Sequence, residues 1–437
     1  MNPTAELIAR IEDLAAAAPD RPAVVSAGSS VTYAELARRA RRQAERWRTE
    51  GGSGRQDLVA DEPVTVAVAL VAAAICGVGL LLLDAEGRPA EHERARALFR
   101  GAPPTATPGL GLTTSGVDGP PKCVERPWTA VAANSAAFAA ALGLREGETV
   151  LCTTPPHHSY AVCGGIVTAL TAGATYLSVP RRTGPRALAA AVETHRVDVL
   201  LSVPLLYQWY SAGLPARHTP RLCVSAGSPL TPGHRSAWER GVGWRLVEHF
   251  GTSEYGMLTV DTTGRPGSVG PAVDGVRISV EPVRHGVADG DEVVVTVSGA
   301  PARLLHADGR AELLDGPRRT GDLGTLDPAG HLSLLGRVGG VINVAGNKVS
   351  ATEVEAVVRA HPTVRECALV GDSSVPGATR LCLFVEVDGV LDRQALQQRL
   401  AVTLAPYKVP QAVYEVEALP RSAAGKVLRS ELLRLVR

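Results

Sequence analysis

The stretch that decides the organisation of the chain is GRVGGVINVAGNKVSATEVE, residues 336–355. It contains the adjacent glycines Gly339 and Gly340, and such pairs mark a connection between two structural units. Downstream, Ser350 and Glu353 have the spacing of a capping box, which predicts the start of a helix. We therefore predict that a second domain begins near these two glycines.

Working outward, the N-terminal part alternates helix-like and strand-like segments from Val31 to about Leu230. Strands that alternate with helices predict a parallel sheet with right-handed crossovers. Short alternating apolar runs between Val276 and Leu335 predict a more antiparallel β region. The last hundred residues, with a helix predicted at 393–403, have the pattern of a small α+β domain. The predicted fold class is α/β, with layered and mostly parallel sheets, a β subdomain and the small C-terminal domain.

The composition is that of a globular protein with balanced charge. Of 437 residues, 45 are Lys or Arg and 44 are Asp or Glu, which gives a net charge of +1. This balance excludes the broad basic face that nonspecific nucleic-acid binding needs, so no nucleic-acid partner is expected. The seven cysteines are widely spaced without a C-x-x-C pair. They favour neither a disulfide framework nor structural zinc, and we expect a cytoplasmic location.

One apolar segment, from Val64 to Leu83, is about as long as a membrane span needs to be. Gly77 and Gly79 divide it, so we interpret it as a helix, a turn and a strand buried on both faces. The first 22 residues lack the basic start and apolar run of a secretory signal. No membrane partner is predicted.

Two stretches of the N-terminal part have the composition of nucleotide-binding loops. The first is TTSGVDGPPK at 113–122, whose hydroxyl groups, glycines and lysine suit a phosphate. The second is EHFGTSE at 248–254, where a ring could stack on a base and Glu254 could hold Mg²⁺. Each stretch alone is also compatible with an ordinary polar loop.

Two further stretches offer charged groups next to glycine. RTGD at 319–322, followed later by Arg337, places a carboxylate where it could accept from ribose hydroxyls. PRSAAGK at 420–426 could deliver a cation to a developing negative charge. A solvated ion pair and a surface lysine are the alternatives. Lysine is rare in this chain, with four among 45 basic residues, so Lys122 and Lys426 in these stretches suggest a specific role.

In this order and at these separations, the four stretches resemble the acyl-adenylate-forming superfamily. That group includes acyl- and aryl-CoA synthetases, adenylation domains of peptide synthetases, and luciferases. The resemblance runs from about Val31 to Arg429 and is most specific at 336–355. It implies two domains, residues 1–337 and a small mobile C-terminal domain at residues 338–437, hinged after Arg337. The active site is expected between them. The implied reaction joins a carboxylate to the α-phosphate of ATP, after which a thiol takes the acyl group to form a thioester.

The resemblance also implies a role for each site residue. The predicted catalytic residues are Lys426 between carboxylate and α-phosphate, Ser253 at that phosphate, and Glu254 as the Mg²⁺ ligand. The predicted nucleotide-binding residues are Thr114, Ser115, Gly116, Gly119 and Lys122 around pyrophosphate, Phe250 on adenine, and Asp322 and Arg337 at the ribose. Gly227, Ser228 and Gly251 are also predicted to bind the nucleotide. The predicted acyl pocket consists of His158, Tyr160, Gly164, Ser225, Ala226 and His249.

The segment PPHHSYAVCGG at 155–165 bears on the substrate, because it contains no carboxylate. Amino-acid-activating relatives carry an Asp there, and a buried ammonium without a counter-charge is costly. We predict a small aryl or aliphatic acid without an α-amino group, with an amino acid as the alternative. For His157, His158 and Tyr160 the alternative is simple core packing. The predicted thiol is coenzyme A, and the phosphopantetheine of a carrier protein is the alternative acceptor.

The sequence departs from the superfamily pattern in two places. Val117 and Asp118 stand where two hydroxyl residues are usual, which predicts weaker triphosphate binding. Gly339 stands where Asp or Lys is usual, which predicts a looser hinge. A degenerate nucleotide-binding member without turnover is the alternative that these departures raise.

Overall fold

The structure is a computed structural model. It describes residues 2–50, 54–114, 122–213, 217–228, 230, 232–283, 291–306, 308–338, 341–344, 347–375, 378–421 and 427–436. Its α-helices are α1 Pro3–Ala17, α2 Tyr33–Thr49, α3 Pro63–Cys76, α4 Pro89–Gly101, α5 Trp128–Ala141, α6 Thr168–Ala172, α7 Pro185–Thr194, α8 Pro204–Tyr210, α9 Pro232–Gly241, α10 Ala351–Arg359, α11 Arg393–Thr403 and α12 Arg429–Leu432. A π-helix, Tyr160–Val167, leads directly into α6, and short 3₁₀ turns lie at Pro406–Lys408 and Leu433–Leu435.

The strands begin with β1 Pro22–Val25, β2 Ser30–Thr32, β3 Arg55–Val59, β4 Gly79–Leu83, β5 Gly109–Thr114, β6 Lys122–Pro127, β7 Thr149–Cys152, β8 Thr175–Ser178, β9 Val199–Ser202, β10 Leu222–Ser225, β11 Leu246–Thr252 and β12 Gly256–Val260. They continue with β13 Val276–Glu281, β14 Asp291–Val297, β15 Ala302–Leu305, β16 Ala311–Leu314, β17 Arg318–Leu326, β18 Leu332–Arg337, β19 Val341–Val344, β20 Asn347–Ser350, β21 Val364–Val375, β22 Ala378–Val387 and β23 Ala412–Glu415.

Two large sheets organise the N-terminal part of the described chain. The first has the strand order β12-β11-β10-β9-β7-β8-β1-β2, parallel from β11 to β1, with antiparallel strands at both edges. The second has the order β16-β15-β6-β5-β4-β3 and is parallel from β3 to β5. A third sheet, β13-β14-β17-β18, is antiparallel throughout. These sheets confirm the predicted α/β class and the antiparallel β region.

The core lies in layers between helices and the two large sheets. Apolar residues of α3 and α5 pack between them, against Leu80 of β4 on one side and Val150 of β7 on the other. The outer face of the first sheet is covered by α7, α8 and α9, and that of the second sheet by α4. This layering buries β4, β9 and β10 at every position, and burial on both faces was predicted for β4.

The segment from Val64 to Leu83 has the predicted structure. Glu62 caps α3 by accepting hydrogen bonds from the backbone N–H groups of Val64 and Thr65, at 3.1 and 2.6 Å. Gly77 ends the helix at φ 68°, a left-handed conformation that favours glycine. Strand β4 follows and is buried at every position. Within the described ranges, no helix is both long enough and apolar enough to cross a membrane.

The C-terminal part contains the sheet β21-β22-β23, onto which α10 and α11 pack. Helix α11 has the predicted bounds, and β21 pairs with β22 along most of its length. Thr352 of α10 lies against Gly336 of β18, so the two parts of the chain are in contact at the predicted hinge. The division at residue 337 stays a prediction.

Candidate active site

A tight turn between β11 and β12 carries Ser253 and Glu254. The two strands are antiparallel, and Thr252 accepts a hydrogen bond from the backbone N–H of Tyr255 at 3.1 Å. Both Ser253 and Glu254 are partly exposed. The turn follows the carboxyl end of β11, and ligands of open α/β sheets bind outside the carboxyl ends of parallel strands.

The neighbouring strand β10 ends at the same edge of the sheet. It is parallel to β11, with Ser225 paired to Glu248. Ser225 and Ala226 are buried, whereas Gly227 and Ser228 are exposed in the loop that follows. The hydroxyl of Ser225 makes no hydrogen bond to any described residue. A buried hydroxyl in this position is suited to receive a polar group of a ligand.

Three of the residues predicted to form the acyl pocket lie together around the π-helix. The Tyr160 hydroxyl donates to the carbonyl oxygen of Val224 at 3.0 Å, and its ring centroid is 5.5 Å from that of His249. Gly164 packs where a Cβ would lie 3.0 Å from the Tyr160 ring and 2.9 Å from the sulfur of Met257. His158 precedes the π-helix. The contacts of Tyr160, Gly164 and His249 place these three predicted residues in one cluster, whose role in binding stays a prediction.

His249 is a neutral imidazole at the centre of this cluster. Its Nδ1 lies 2.5 Å from the carbonyl oxygen of Thr259, so Nδ1 carries the proton that is donated. The Phe138 ring centroid lies 4.8 Å from that of His249. Burial lowers the pKa of His249 to about 4. The pocket therefore presents no positive charge at this position near neutral pH.

This shifted pKa predicts a loss of stability in acid. The folded pKa of about 4 lies below the ordinary value of 6.5, so the unfolded chain binds the proton more readily between these pH values. The stabilisation is complete above pH 6.5 and falls by up to about 3 kcal/mol as the pH drops to 4. Urea unfolding at pH 7 and pH 4.5 measures the loss. The variant His249→Gln should lose less between these pH values, and an equal loss in both proteins would contradict the prediction.

Asp322 and Arg337 are brought together by the pairing of β17 with β18. They are register partners, with Arg337 Nε 3.3 Å from Asp322 Oδ1. Asp322 is mostly buried and its backbone N–H donates to the Thr320 hydroxyl at 3.1 Å, while the Arg337 side chain is mostly exposed. The carboxylate is thus held in place, and the guanidinium has room to reach a ligand.

The predicted phosphate loop connects β5 with β6, which form an antiparallel hairpin. Thr114 and Lys122 are paired across its open end, and the side chain of Lys122 is exposed. Ser115, Gly116 and Gly119 lie outside the described residues, as does Lys426 near the C-terminus. Among the described residues, strand β6 begins at Lys122, whereas a helix follows the phosphate loop in the common P-loop.

Phe250 is buried to a greater degree than its predicted role suggests. It belongs to an apolar cluster with Leu258 and Val293, and 8% of its surface is exposed. Most of its ring contacts are therefore with the protein. Stacking of adenine on the small exposed part of the Phe250 ring stays a prediction.

One polar network at the strand ends was missed by the sequence patterns. Ligand atoms of Asp61, Asp84 and His157 lie within 4.8 Å of one another. Arg181 donates to both carboxylates, to Asp61 at 2.6 Å, and so occupies the position that a bound cation would take. Burial lowers the pKa of His157. The four residues follow four different strands, so no local spacing could have grouped them.

Comparisons with known proteins agree with this architecture. The sequence model of the family described as AMP-binding enzyme matches residues 106–300, and that of its C-terminal domain matches residues 353–426. A 3-hydroxybenzoate–CoA ligase from Aromatoleum sp. (strain CIB) is 27% identical, over 100% of this chain and 97% of its own length. Triostin synthetase I from Streptomyces triostinicus is 31% identical over 74% of this chain, which spans 64% of that protein's length.

Among solved structures, ATP-bound MatB from Rhodopseudomonas palustris superimposes with a TM-score of 0.84 at 23% identity, covering 100% of this chain and 99% of the other. This likeness establishes the shared fold. The two matched family domains together cover more than half of the chain and define the class: the chain belongs to the family of AMP-binding enzymes.

Proposed function

We propose that the protein is an ATP-dependent acid–thiol ligase, which converts a carboxylic acid to an acyl-adenylate and transfers the acyl group to a thiol. The observation that carries the proposal is that three of the predicted site residues, Ser225, Ser253 and Glu254, lie at the carboxyl ends of β10 and β11. These strands are adjacent and parallel, within a chain of the AMP-binding family. The match to the family's C-terminal domain extends to Lys426.

The chemical problem is the approach of two anions, the carboxylate and the triphosphate. The chain supplies cations to offset their repulsion, with Lys426 and Lys122 as the predicted side chains. The Asp322 carboxylate, which lies 3.3 Å from Arg337, is the proposed acceptor for the ribose hydroxyls. Glu254 offers a partly exposed carboxylate in a fixed turn, a ligand type that suits Mg²⁺, and the ion would neutralise phosphate charge when bound.

The character of the pocket supports an acid without an α-amino group. His249 is neutral, and burial raises the pKa of Tyr160 well above its ordinary value, so its phenol is neutral too. Segment 155–165 supplies no carboxylate to pair with an ammonium. The relative named for 3-hydroxybenzoate supports an aryl acid as the first class to test.

Pyrophosphate exchange with a panel of acids tests the proposal, with mass spectrometry to identify the adenylate. An aryl or aliphatic acid should support exchange more strongly than any α-amino acid. An amino acid that outpaced every simple acid would overturn the predicted substrate class. Binding of ATP without exchange on any acid would favour the degenerate alternative.

The thiol acceptor needs a separate comparison. We propose coenzyme A, which the named CoA ligases among the relatives support, and a phosphopantetheinylated carrier protein is the second candidate. Thioester formation from the same adenylate with coenzyme A and with a loaded carrier protein distinguishes them. A clearly higher rate with the carrier would overturn coenzyme A as the acceptor.

The variant Gly164→Ala tests the pocket directly. Its methyl group would lie 3.0 Å from the Tyr160 ring and 2.9 Å from the Met257 sulfur, so the ring must move. We expect the KM for the acid to rise about tenfold, the typical effect of one methylene in a pocket, with the KM for ATP nearly unchanged. Gly28→Ala is the matched control, since a Cβ there has nothing within 4 Å. Equal changes in both KM values would argue against a pocket role for Gly164.

A further inference from the structure

Arg126 is a buried cation with neutral partners. It lies on β6 and is 2% exposed. Its guanidinium donates to the Cys163 sulfur at 3.4 Å, the Asn134 side-chain oxygen at 3.2 Å and the Tyr255 carbonyl oxygen at 3.3 Å. Within the described ranges, no carboxylate pairs with it. A buried charge without a counter-charge is costly, so a specific requirement must keep arginine at this position.

The neighbouring residue Glu125 shows the usual arrangement. It is fully buried and lies 3.1 Å from Arg55 and 3.5 Å from Arg303. Three buried charges are thus collected on one face of β6, while Arg126 points from the other face towards the turn between β11 and β12. On one face of β6 the buried charges are therefore paired, whereas on the other face Arg126 has no carboxylate partner among the described residues.

Asn134 of α5 links Arg126 to that turn. Its side-chain oxygen accepts from the backbone N–H of Met257 at 2.8 Å, and its side-chain nitrogen donates to the Met257 carbonyl oxygen at 2.7 Å. The same oxygen accepts from Arg126. Arg126 and Asn134 thus hold the backbone on both sides of Gly256, directly after Ser253 and Glu254.

Gly256 shows how closely this pair approaches the turn. Its φ is 83°, and a Cβ there would lie 2.1 Å from the Asn134 oxygen and 2.4 Å from an Arg126 nitrogen. No side chain fits in that space, so glycine is required both by conformation and by contact. The turn therefore rests directly on the guanidinium and the amide.

We infer that Arg126 is a positioning residue for nucleotide binding: with Asn134 it fixes the turn that presents Ser253 and Glu254 to the triphosphate and its Mg²⁺. The charge of Arg126, unmatched by a carboxylate, also favours an anion in front of the turn. This inference rests on the proposed function, because that function gives Ser253 and Glu254 their roles. In this proposal, Arg126 does not touch the reacting atoms and acts through the turn.

Titration calorimetry with MgATP tests the inference without turnover. Arg126→Met should raise the Kd for MgATP about tenfold, whereas Arg126→Lys, which keeps a cation, should raise it only about threefold. Urea unfolding of each variant measures stability separately. A purely structural role would lower stability and leave the Kd of the folded protein unchanged, which would overturn the inference. Asn134→Ser loosens the turn with Arg126 in place and should raise the Kd as well.

A double-mutant cycle with Glu254→Gln tests whether Arg126 affects MgATP binding through the turn or independently of it. If Arg126 acts through the turn, Arg126→Met should weaken MgATP binding less in the Glu254→Gln background than in the wild type. Strictly additive effects would overturn the inference. Failure of the wild type to bind MgATP would also overturn it. Binding of MgATP without adenylation of any acid would instead overturn the proposed function alone.

Discussion

Replacing Lys426 with alanine is expected to lower the rate of acid-dependent pyrophosphate exchange by about 10²–10³-fold, the effect of removing one group that stabilises developing charge. The reason is electrostatic, because the predicted position of this ammonium lies between two reacting anions. A compact ammonium on a flexible stem also differs from a guanidinium, so Lys426→Arg should recover only part of the rate.

Exchange rates of purified variants at saturating ATP and acid measure this effect. The matched control is Arg393→Met, which removes an exposed cation of the same part of the chain, paired with Glu415 at 2.6 Å. We expect its exchange rate to stay close to that of the wild type. If Lys426→Ala retained wild-type exchange, the proposed mechanism would be wrong.

The second large effect concerns stability. Glu125→Ala is expected to lower the free energy of unfolding by about 3–5 kcal/mol, because it leaves Arg55 and Arg303 buried without their shared carboxylate. The midpoint of urea unfolding measures the change. Glu415→Ala breaks an exposed ion pair with Arg393 and should cost at most about 1 kcal/mol.

Simultaneous replacement of the three charged residues separates the cost of broken pairing from that of lost packing. The combination Arg55→Met, Glu125→Leu and Arg303→Met should be far less destabilising than Glu125→Ala, since apolar residues of similar volume can replace a buried ionic group at little cost. A triple variant that was less stable than Glu125→Ala would show that the charges themselves stabilise the fold.

Much of the fold was predictable because its signals are local. Gly77 ends α3 and Gly79 begins β4, and the apolar run of β4 is buried on both faces. The β-rich texture after Val276 also corresponds to an antiparallel sheet. In each case, the residues that specify the element are the residues that form it.

The long-range features were not predictable in this way. Strand β6 joins β15, about 180 residues later in the chain, and nothing near Glu125 indicates Arg303 as its partner. The π-helix that precedes α6 was likewise not predictable, since hydrophobic periodicity does not distinguish a wider helical turn from an ordinary one.

The candidate site also contains local features that were predictable and long-range features that were not. The pairing of Asp322 with Arg337 and the turn at Ser253 and Glu254 lie within hairpins, so motif and geometry coincide. Arg126 and Asn134 carry no motif of their own. Their contacts with Tyr255 and Met257 depend on how β6, α5 and β12 pack, which the sequence patterns do not encode locally.

The partnership of β6 with β15 has a consequence for biosynthesis. Residues 123–125 pair with residues 303–305, so their outer edge has no neighbour until the later segment has left the ribosome. At ordinary elongation rates that delay is roughly 10–40 s. A nascent chain halted before β15 would expose backbone groups able to pair with other polypeptides. Chaperone protection during this interval should therefore raise the soluble yield of the full-length chain.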